Sequence, residues 1–327
     1  MRKRFNCRRA SRGLYGALLV LMTCLLPGCA SHSKEEPRSR VVFAMDTVMT
    51  LTEYGQDETV LDEAERELYR LDALLARGTQ GSAVYVFNHG GEPDAELSEL
   101  LALSEEISAA TGGSFDPYLG AVLDLWGFGS GAGEHRVPTA EELANAPRLL
   151  DLGGIAKGYA GQRMLELLSG SGVTSAVVDL GGDVALLGRK PDGSNWRVAV
   201  KDPGDPGAFL GVLETAGGVY VATSGVYERF FEENGTVYHH ILDPKTDYPA
   251  GSGVVSATVI CESGVWADAL ATAVCVLGAE DALALRERLA DRITFDLILV
   301  TGNGQVRYTS AGFAPGTGNG YHYEQVA

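Results

Sequence analysis

The stretch DLGGIAKGYA, Asp151 to Ala160, places an acid, two adjacent glycines and a lysine directly before a predicted helix. Glycine lets the backbone turn sharply and lets a ligand approach main-chain N–H and C=O groups. Such a segment can hold a polyphosphate at a helix N-terminus, or it can lend a carbonyl oxygen to a metal ion. It can equally be an ordinary strand-to-helix turn, and the segment alone leaves both interpretations open.

The pattern of apolar residues around this stretch predicts an α+β fold. Helical spacing predicts helices over 57–76, 94–110, 155–168 and 264–278, with a short helix over 138–146. Alternating or β-rich runs predict a strand segment over 41–54 and strands over 175–182, 183–188, 196–202, 217–225, 236–243, 253–263, 293–300 and 305–309. Because turn signals separate the strands closely, we expect mostly antiparallel sheets with packed helices.

Asp268 stands out because it lies in the otherwise apolar helix segment VWADALATAVCVL. A carboxylate there faces a cavity or costs several kcal/mol of desolvation, so a partner should neutralise it. Thr272 follows four residues later on the same helical face. Carboxylate and hydroxyl oxygens suit Mg²⁺ or Ca²⁺. The alternative is an Asp near a helix N-terminus and a Thr bonded to its own backbone.

Two further segments carry reactive groups. If YHHILD is one strand, His239 and His240 point to opposite faces, so one imidazole faces the core and the other points away. Either histidine can also be a hydrogen-bonded structural residue. In ATSG, Ser224 ends a predicted strand, where its hydroxyl meets a phosphate or closes a turn.

The N-terminal segment predicts export. Basic residues precede a short apolar run that ends in Leu26, Pro27, Gly28 and Cys29. We therefore predict a lipoprotein signal peptide over 1–28, a lipidated Cys29, a polar tether over 29–40 and a folded domain over 41–327. An uncleaved anchor is the alternative, and both place the protein outside the cytoplasm, attached to the bacterial cell membrane.

The charge balance argues against nucleic acid as a partner. The 327-residue chain has 43 Asp and Glu against 26 Lys and Arg, a formal charge of −17. Removal of the predicted signal peptide takes away basic side chains and no acidic ones, so the mature chain is more negative still. Such a surface repels a polyphosphate backbone. Cys261 and Cys275 lie in apolar runs, as buried free thiols do, although the sequence leaves their pairing open.

The chain resembles the ApbE family, the FAD:protein FMN transferases. The matching segments occur in the family's order from about Val41 to the C-terminus, and they are AMDTVMTL, GSFDPYLGAVLDLWGFG, DLGGIAKGYAGQ, VVDLGGDV, WRVAVKDP, VATSGVYERFF, HHILDPKTDYP and ADALATAVCVLG. One departure is that only the six residues NAPRLL join the PTAEELA part of the short helix to the first DLGG, where family members usually carry a further strand pair. This shortening could alter how an acceptor protein docks.

The resemblance implies a site. Mg²⁺ would be held by a main-chain oxygen of Gly154 and by Asp268 and Thr272. Lys157 would face the FAD phosphates, and His240 would be a base or a nucleotide contact. The other positions implied to line the FAD site, together with Ser224, are Met45, Asn88, Ser114, Phe115, Asp116 and Asp151.

The implied reaction moves FMN from FAD to a threonine hydroxyl of a partner protein and releases AMP. Acceptors in the family are typically subunits or domains of membrane redox systems. Two alternatives stay open from the sequence. One is an FAD pyrophosphatase, in which water replaces the threonine and gives FMN and AMP. The other is a non-catalytic FAD-binding lipoprotein.

Overall fold

The computed structural model describes residues 36–55, 58–129 and 133–326. The predicted signal peptide and Cys29 lie outside these ranges. The helices are α1 Glu58–Leu75, α2 Ala83–Asn88, α3 Ala95–Ala110, α4 Gly120–Trp126, α5 Ala140–Ala144, α6 Ala156–Gly170, α7 Gly264–Leu277 and α8 Ala279–Leu289. No helix of the described ranges is long and apolar enough to cross a membrane.

The strands make one large sheet and three small ones. Their bounds are β1 Pro37–Ala44, β2 Thr47–Tyr54, β3 Ala176–Asp179, β4 Val184–Leu187, β5 Trp196–Lys201, β6 Phe209–Thr215, β7 Val219–Gly225, β8 Phe230–Glu233, β9 Thr236–His239, β10 Leu242–Asp243, β11 Tyr248–Pro249, β12 Val254–Cys261, β13 Phe295–Thr301, β14 Gln305–Tyr308, β15 Phe313–Pro315 and β16 His322–Gln325.

The large sheet has the strand order β1-β2-β3-β4-β7-β12-β13-β14-β16. Neighbours are antiparallel except β14 and β16, which are parallel. A three-stranded sheet, β15-β6-β5, and the pairs β8-β9 and β10-β11 are also antiparallel. The predicted α+β class with mostly antiparallel sheets is confirmed.

The central strands of the large sheet are buried on both faces, as β13 shows. Leu297 and Leu299 pack into the core shared with α1, α6, α7 and α8, whereas Ile298 and Val300 pack into a second core with β5 and β6. Alternate residues of a strand point to opposite faces, so a continuous apolar run serves two cores at once. This double burial fixes the register of the sheet that carries the candidate site.

The structure corrects three sequence predictions. The segment predicted over 41–54 is a hairpin of β1 and β2 rather than one strand. Its first strand begins at Pro37, within the predicted tether, because polar side chains on the outer face of an edge strand do not interrupt pairing. The single strand predicted over 236–243 is wrong, because β9 ends at His239 and β10 is separate. The sequence analysis also missed the short helices α2 and α4 and the strand β6.

Two glycines set the distance between α6 and α7. A Cβ at Gly158 would overlap the carbonyl oxygen of Gly264 and would lie 2.8 Å from Cβ of Asp268. A Cβ at Gly264 would in turn overlap the carbonyl oxygen of Gly158. The two backbones therefore touch at a point that only glycine permits, and this contact places the first turn of α6 against Asp268.

Gly158→Ala is expected to destabilise the fold by about 1–3 kcal/mol or more, because the added methyl group meets backbone that cannot move independently. The free energy of unfolding from urea titrations measures the change. Gly170→Ala is the matched control in the same helix, since nothing lies within 4 Å of a Cβ there. It should be neutral or stabilising by up to about 1 kcal/mol. Equal losses in both variants would contradict the close-contact account.

Candidate active site

The turn that opens α6 is organised by its own acid. The Asp151 carboxylate accepts a hydrogen bond from the Gly153 N–H at 2.9 Å through Oδ1. The next glycine lies against two side chains of other elements, since a Cβ at Gly154 would be 3.2 Å from Cε2 of Phe115 and 3.7 Å from Oγ1 of Thr272. The Gly154 backbone is therefore a direct neighbour of the Thr272 hydroxyl.

Asp268 lies one helical turn before Thr272 on α7, and it is only 3% exposed. Its Oδ2 accepts a hydrogen bond from the Gly158 N–H at 2.9 Å. Its Oδ1 lies 3.9 Å from the Lys157 ammonium, too far for a direct hydrogen bond. Burial raises the pKa of Asp268 to about 6, against the opposing effect of Lys157. The charged carboxylate therefore lacks full compensation from the side chains around it.

Lys157 has a closer partner, Asp183, which the sequence analysis did not single out. The Lys157 ammonium contacts Oδ2 of Asp183, and Oδ1 of Asp183 accepts the Thr223 N–H at 2.8 Å. Burial works against the charged form of Lys157, but Asp183 and then Asp268 outweigh it and raise the lysine pKa. Lys157 is therefore a cation throughout the physiological range. The sequence signal for Asp183 was its place directly after the second DLGG.

Strand β7 closes the site from the sheet side. The Ser224 hydroxyl lies 3.3 Å from the Thr272 hydroxyl. The Cys275 thiol lies 3.6 Å from the Ser224 carbonyl oxygen, and burial raises the pKa of Cys275 to about 12. Cys261 and Cys275 are both free and buried, so this thiol packs and does not react.

Three of the residues implied to line the FAD site have partners within the protein. The Asn88 side chain bonds both main-chain groups of Leu150, at 2.8 and 2.9 Å. Both oxygens of Asp116 lie 3.0 Å from an Arg148 nitrogen. Asp151 Oδ2 accepts a hydrogen bond from Arg77 at 2.8 Å. These contacts hold the segments around the α6 turn in place.

Arg77 is a second residue that the sequence analysis missed. Its side chain is 9% exposed and bridges Asp151 to Asp124, with which it makes contacts of 2.5 and 2.7 Å. The hydrogen bonds that Arg77 donates to Asp124 are the main cause that raises the Arg77 pKa. A buried arginine with two carboxylates fixes the position of the α6 turn relative to α4.

The remaining implied residues lie around this centre. Ser114 is buried and donates to the Thr111 carbonyl oxygen at 3.1 Å, so its hydroxyl is engaged within the protein. Met45 has φ 49° in the tight turn between β1 and β2. Thr47 begins the next strand. A Cβ added at Gly181 would overlap its side chain, so this turn touches the second DLGG segment.

His240 and His239 have different surroundings. Nδ1 of His240 lies 3.2 Å from the Arg229 carbonyl oxygen, and its ring centroid lies 6.3 Å from that of Phe128. Nε2 of His239 lies 3.1 Å from the Ala250 carbonyl oxygen. Because a carbonyl only accepts, Nδ1 of neutral His240 must carry the proton, which leaves Nε2 as an acceptor. Burial first, and Arg229 next, lower the pKa of His240 to about 3.

Comparison with known proteins shows which family this chain is similar to. The ApbE family model matches residues 45–295. The FAD:protein FMN transferase of Vibrio cholerae is 31% identical over 326 residues, covering 89% of this chain and 95% of the relative. That of Treponema pallidum is 31% identical, covering 82% of this chain and 86% of the relative. The chain belongs to the ApbE family.

Solved structures of ApbE proteins share the fold. The ApbE protein of Thermotoga maritima has a TM-score of 0.75 at 31% identity and covers 83% of this chain and 96% of its own. The apo form of the Pseudomonas stutzeri flavinyl transferase ApbE has a TM-score of 0.72 at 32% identity and covers 82% of this chain and 92% of its own. The predicted family, fold and enzyme class are confirmed.

Within this ApbE fold the predicted residues form one centre with a surrounding shell. Gly154, Lys157, Ser224, Asp268 and Thr272 meet where α6, α7 and β7 converge. His240 belongs to the rim, close enough that the Lys157 charge contributes to lowering its pKa. In the part of the chain that the structure describes, no three His, Cys, Asp or Glu side chains form a metal cluster. A cation at the centre would therefore rely on hydroxyl and main-chain oxygens beside a single carboxylate.

Proposed function

We propose that the protein transfers FMN from FAD to a threonine hydroxyl of a partner protein and releases AMP. The observation that carries this proposal is the buried Asp268 carboxylate, which lies beside Gly154 and Thr272 at the first turn of α6. A site that only binds a ligand does not require a buried carboxylate without full charge compensation beside the first turn of α6. A phosphoryl-transfer site needs one to recruit a cation.

Mg²⁺ fits the donors that meet here. We infer that a Gly154 main-chain oxygen, the Asp268 carboxylate and the Thr272 hydroxyl hold it, since these are the hard oxygen ligands that this ion prefers. The pKa of Asp268, raised by burial, and the absence of a side chain at Gly154 both support the assignment. When bound, the ion supplies positive charge to the pyrophosphate of FAD.

The protein's own groups supply the rest of the site. Lys157 adds a fixed positive charge, and the first turn of α6 adds the partial positive charge of a helix N-terminus. The Phe115 ring lies against the Gly154 backbone and shields one side of the centre from water. These groups bind and orient a polyphosphate, and positioning supplies much of the acceleration in phosphoryl transfer.

The chemical step is a substitution at phosphorus. The threonine oxygen of the acceptor bonds to the FMN-side phosphorus, the bond from that phosphorus to the bridging oxygen breaks, and AMP leaves with that oxygen. The threonine proton passes to Nε2 of His240 and then to solvent. A base with a low pKa suffices when the transition state is loose and the proton moves late.

Incubation of the protein with FAD and Mg²⁺, with and without an acceptor domain, tests the proposal. A covalently flavinylated acceptor supports it. Free FMN and AMP at the same rate with or without the acceptor would indicate a pyrophosphatase, and unchanged FAD would indicate a binding protein. Acceptors from membrane redox systems are the first to try, as the resemblance implies.

Asp268→Asn should abolish Mg²⁺-dependent flavin transfer, because the neutral amide is a much weaker ligand for a hard cation. The fold should survive, because the amide still accepts the Gly158 N–H and removes a buried charge. Flavin fluorescence of the acceptor on a denaturing gel measures transfer, and circular dichroism checks the fold. A folded variant with wild-type turnover would rule out this metal assignment.

His240→Ala should lower flavin transfer roughly a hundredfold with FAD binding largely kept, because it removes the proton acceptor. His239→Ala is the matched control and should cost much less, since its Nε2 is engaged by Ala250. Single-turnover rates and FAD affinity measure the two effects. Equal losses in both variants would indicate a structural segment, and lost FAD affinity in His240→Ala alone would make His240 a nucleotide contact.

We further propose that Cys29 is lipidated and holds the enzyme outside the cytoplasm, on the cell membrane. The N-terminal sequence pattern supports this location. Cys29→Ser should move the protein from the membrane fraction to the soluble fraction, as fractionation and immunoblotting would show. Continued labelling with a palmitate analogue in this variant would disprove Cys29 as the modified residue.

A further inference from the structure

We infer that Asp183 is a positioning residue: it holds Lys157 away from Asp268 and so leaves the Asp268 carboxylate available to a cation. The inference rests on the proposed function, because it concerns the same metal site. Asp183 is 5% exposed and belongs to no implied ligand set. The inference explains why this buried acid lies at the centre of the site.

The contacts show how Asp183 does this. One of its oxygens is fixed by the Thr223 N–H of β7 at 2.8 Å, so the carboxylate is anchored to the central sheet. Its other oxygen contacts the Lys157 ammonium. That ammonium consequently stays 3.9 Å from the nearer oxygen of Asp268. The lysine is thus tied to the sheet rather than to α7.

Without Asp183, the carboxylates whose charge still acts on Lys157 would be Asp268 first and Glu228 second. Lysine has a long flexible side chain, and the Lys157 side chain is only 29% exposed, so its ammonium is stabilised by a nearby carboxylate. Because Lys157 directly precedes Gly158, whose N–H already binds Asp268, a small side-chain rotation closes an ion pair with that carboxylate. The Lys157 ammonium would then pair with the Asp268 carboxylate and compete with the cation for it.

Binding of Mn²⁺ alone tests this competition without turnover. The loss of the electron paramagnetic resonance signal of the free ion measures the binding. Asp183→Asn keeps an acceptor for the Thr223 N–H and removes the negative charge. We expect it to bind Mn²⁺ at least about tenfold more weakly than the wild type. The double variant Asp183→Asn/Lys157→Met removes the competing ammonium as well, so its Mn²⁺ affinity should return to within about threefold of the wild type.

Asp179→Asn is the matched control. Asp179 lies in the same turn and also accepts a main-chain N–H, that of Gly182 at 2.8 Å. Removing its charge should leave Mn²⁺ affinity unchanged. A loss as large as that of Asp183→Asn would make the effect one of the turn or of the general field, and would overturn the inference.

The double variant also keeps the test valid if Asp183→Asn fails to fold, because it removes the lysine that would have lost its closest carboxylate. A folded Asp183→Asn with wild-type Mn²⁺ affinity would refute the inference, and so would a double variant that still binds about tenfold more weakly. If the wild type and Asp268→Asn bind Mn²⁺ equally, the proposed metal set itself is wrong. The two failures are therefore distinguishable.

Discussion

The site depends on the contact between the Gly158 and Gly264 backbones, where α6 and α7 approach each other without side chains between them. This approach brings a main-chain N–H of α6 to 2.9 Å from the Asp268 carboxylate. It also carries Lys157 and the Gly154 turn to the same point. Any larger residue at the crossing would separate the helices and move the Gly158 N–H away from the Asp268 carboxylate.

The large sheet supplies the second fixed support. Because β7 lies between β4 and β12 and is buried on both faces, its register cannot slip without moving apolar side chains out of two cores. Its end presents the Thr223 N–H to Asp183 and the Ser224 hydroxyl to Thr272. The two helices thus bring Gly154, Asp268 and Thr272 together. The sheet holds Asp183, and Asp183 in turn sets the direction of the Lys157 side chain.

The sequence predicted those parts of the molecule whose signals are local. The helical periodicity over 94–110, the short helix over 138–146 and the carboxylate in the apolar helix α7 were all visible in short windows. Asp183 and Arg77 were not, because their partners lie 26 and 74 residues away. The break between β9 and β10 was missed because it comes from a turn that interrupts pairing after His239, with no change in apolar pattern.

Charge pairing distinguishes one carboxylate of the site from the others. Asp151 is paired with Arg77, Asp116 with the exposed Arg148 and Asp183 with Lys157. Asp268 alone among these four carboxylates has its nearest cationic side chain at 3.9 Å, beyond hydrogen-bond range, while being buried. Asp151 shares Arg77 with Asp124, whereas Asp116 and Asp183 each contact a cationic side chain of their own. Asp268 is therefore the buried carboxylate of these four that has no cationic side chain within hydrogen-bond range, which supports it as a ligand of the proposed metal site.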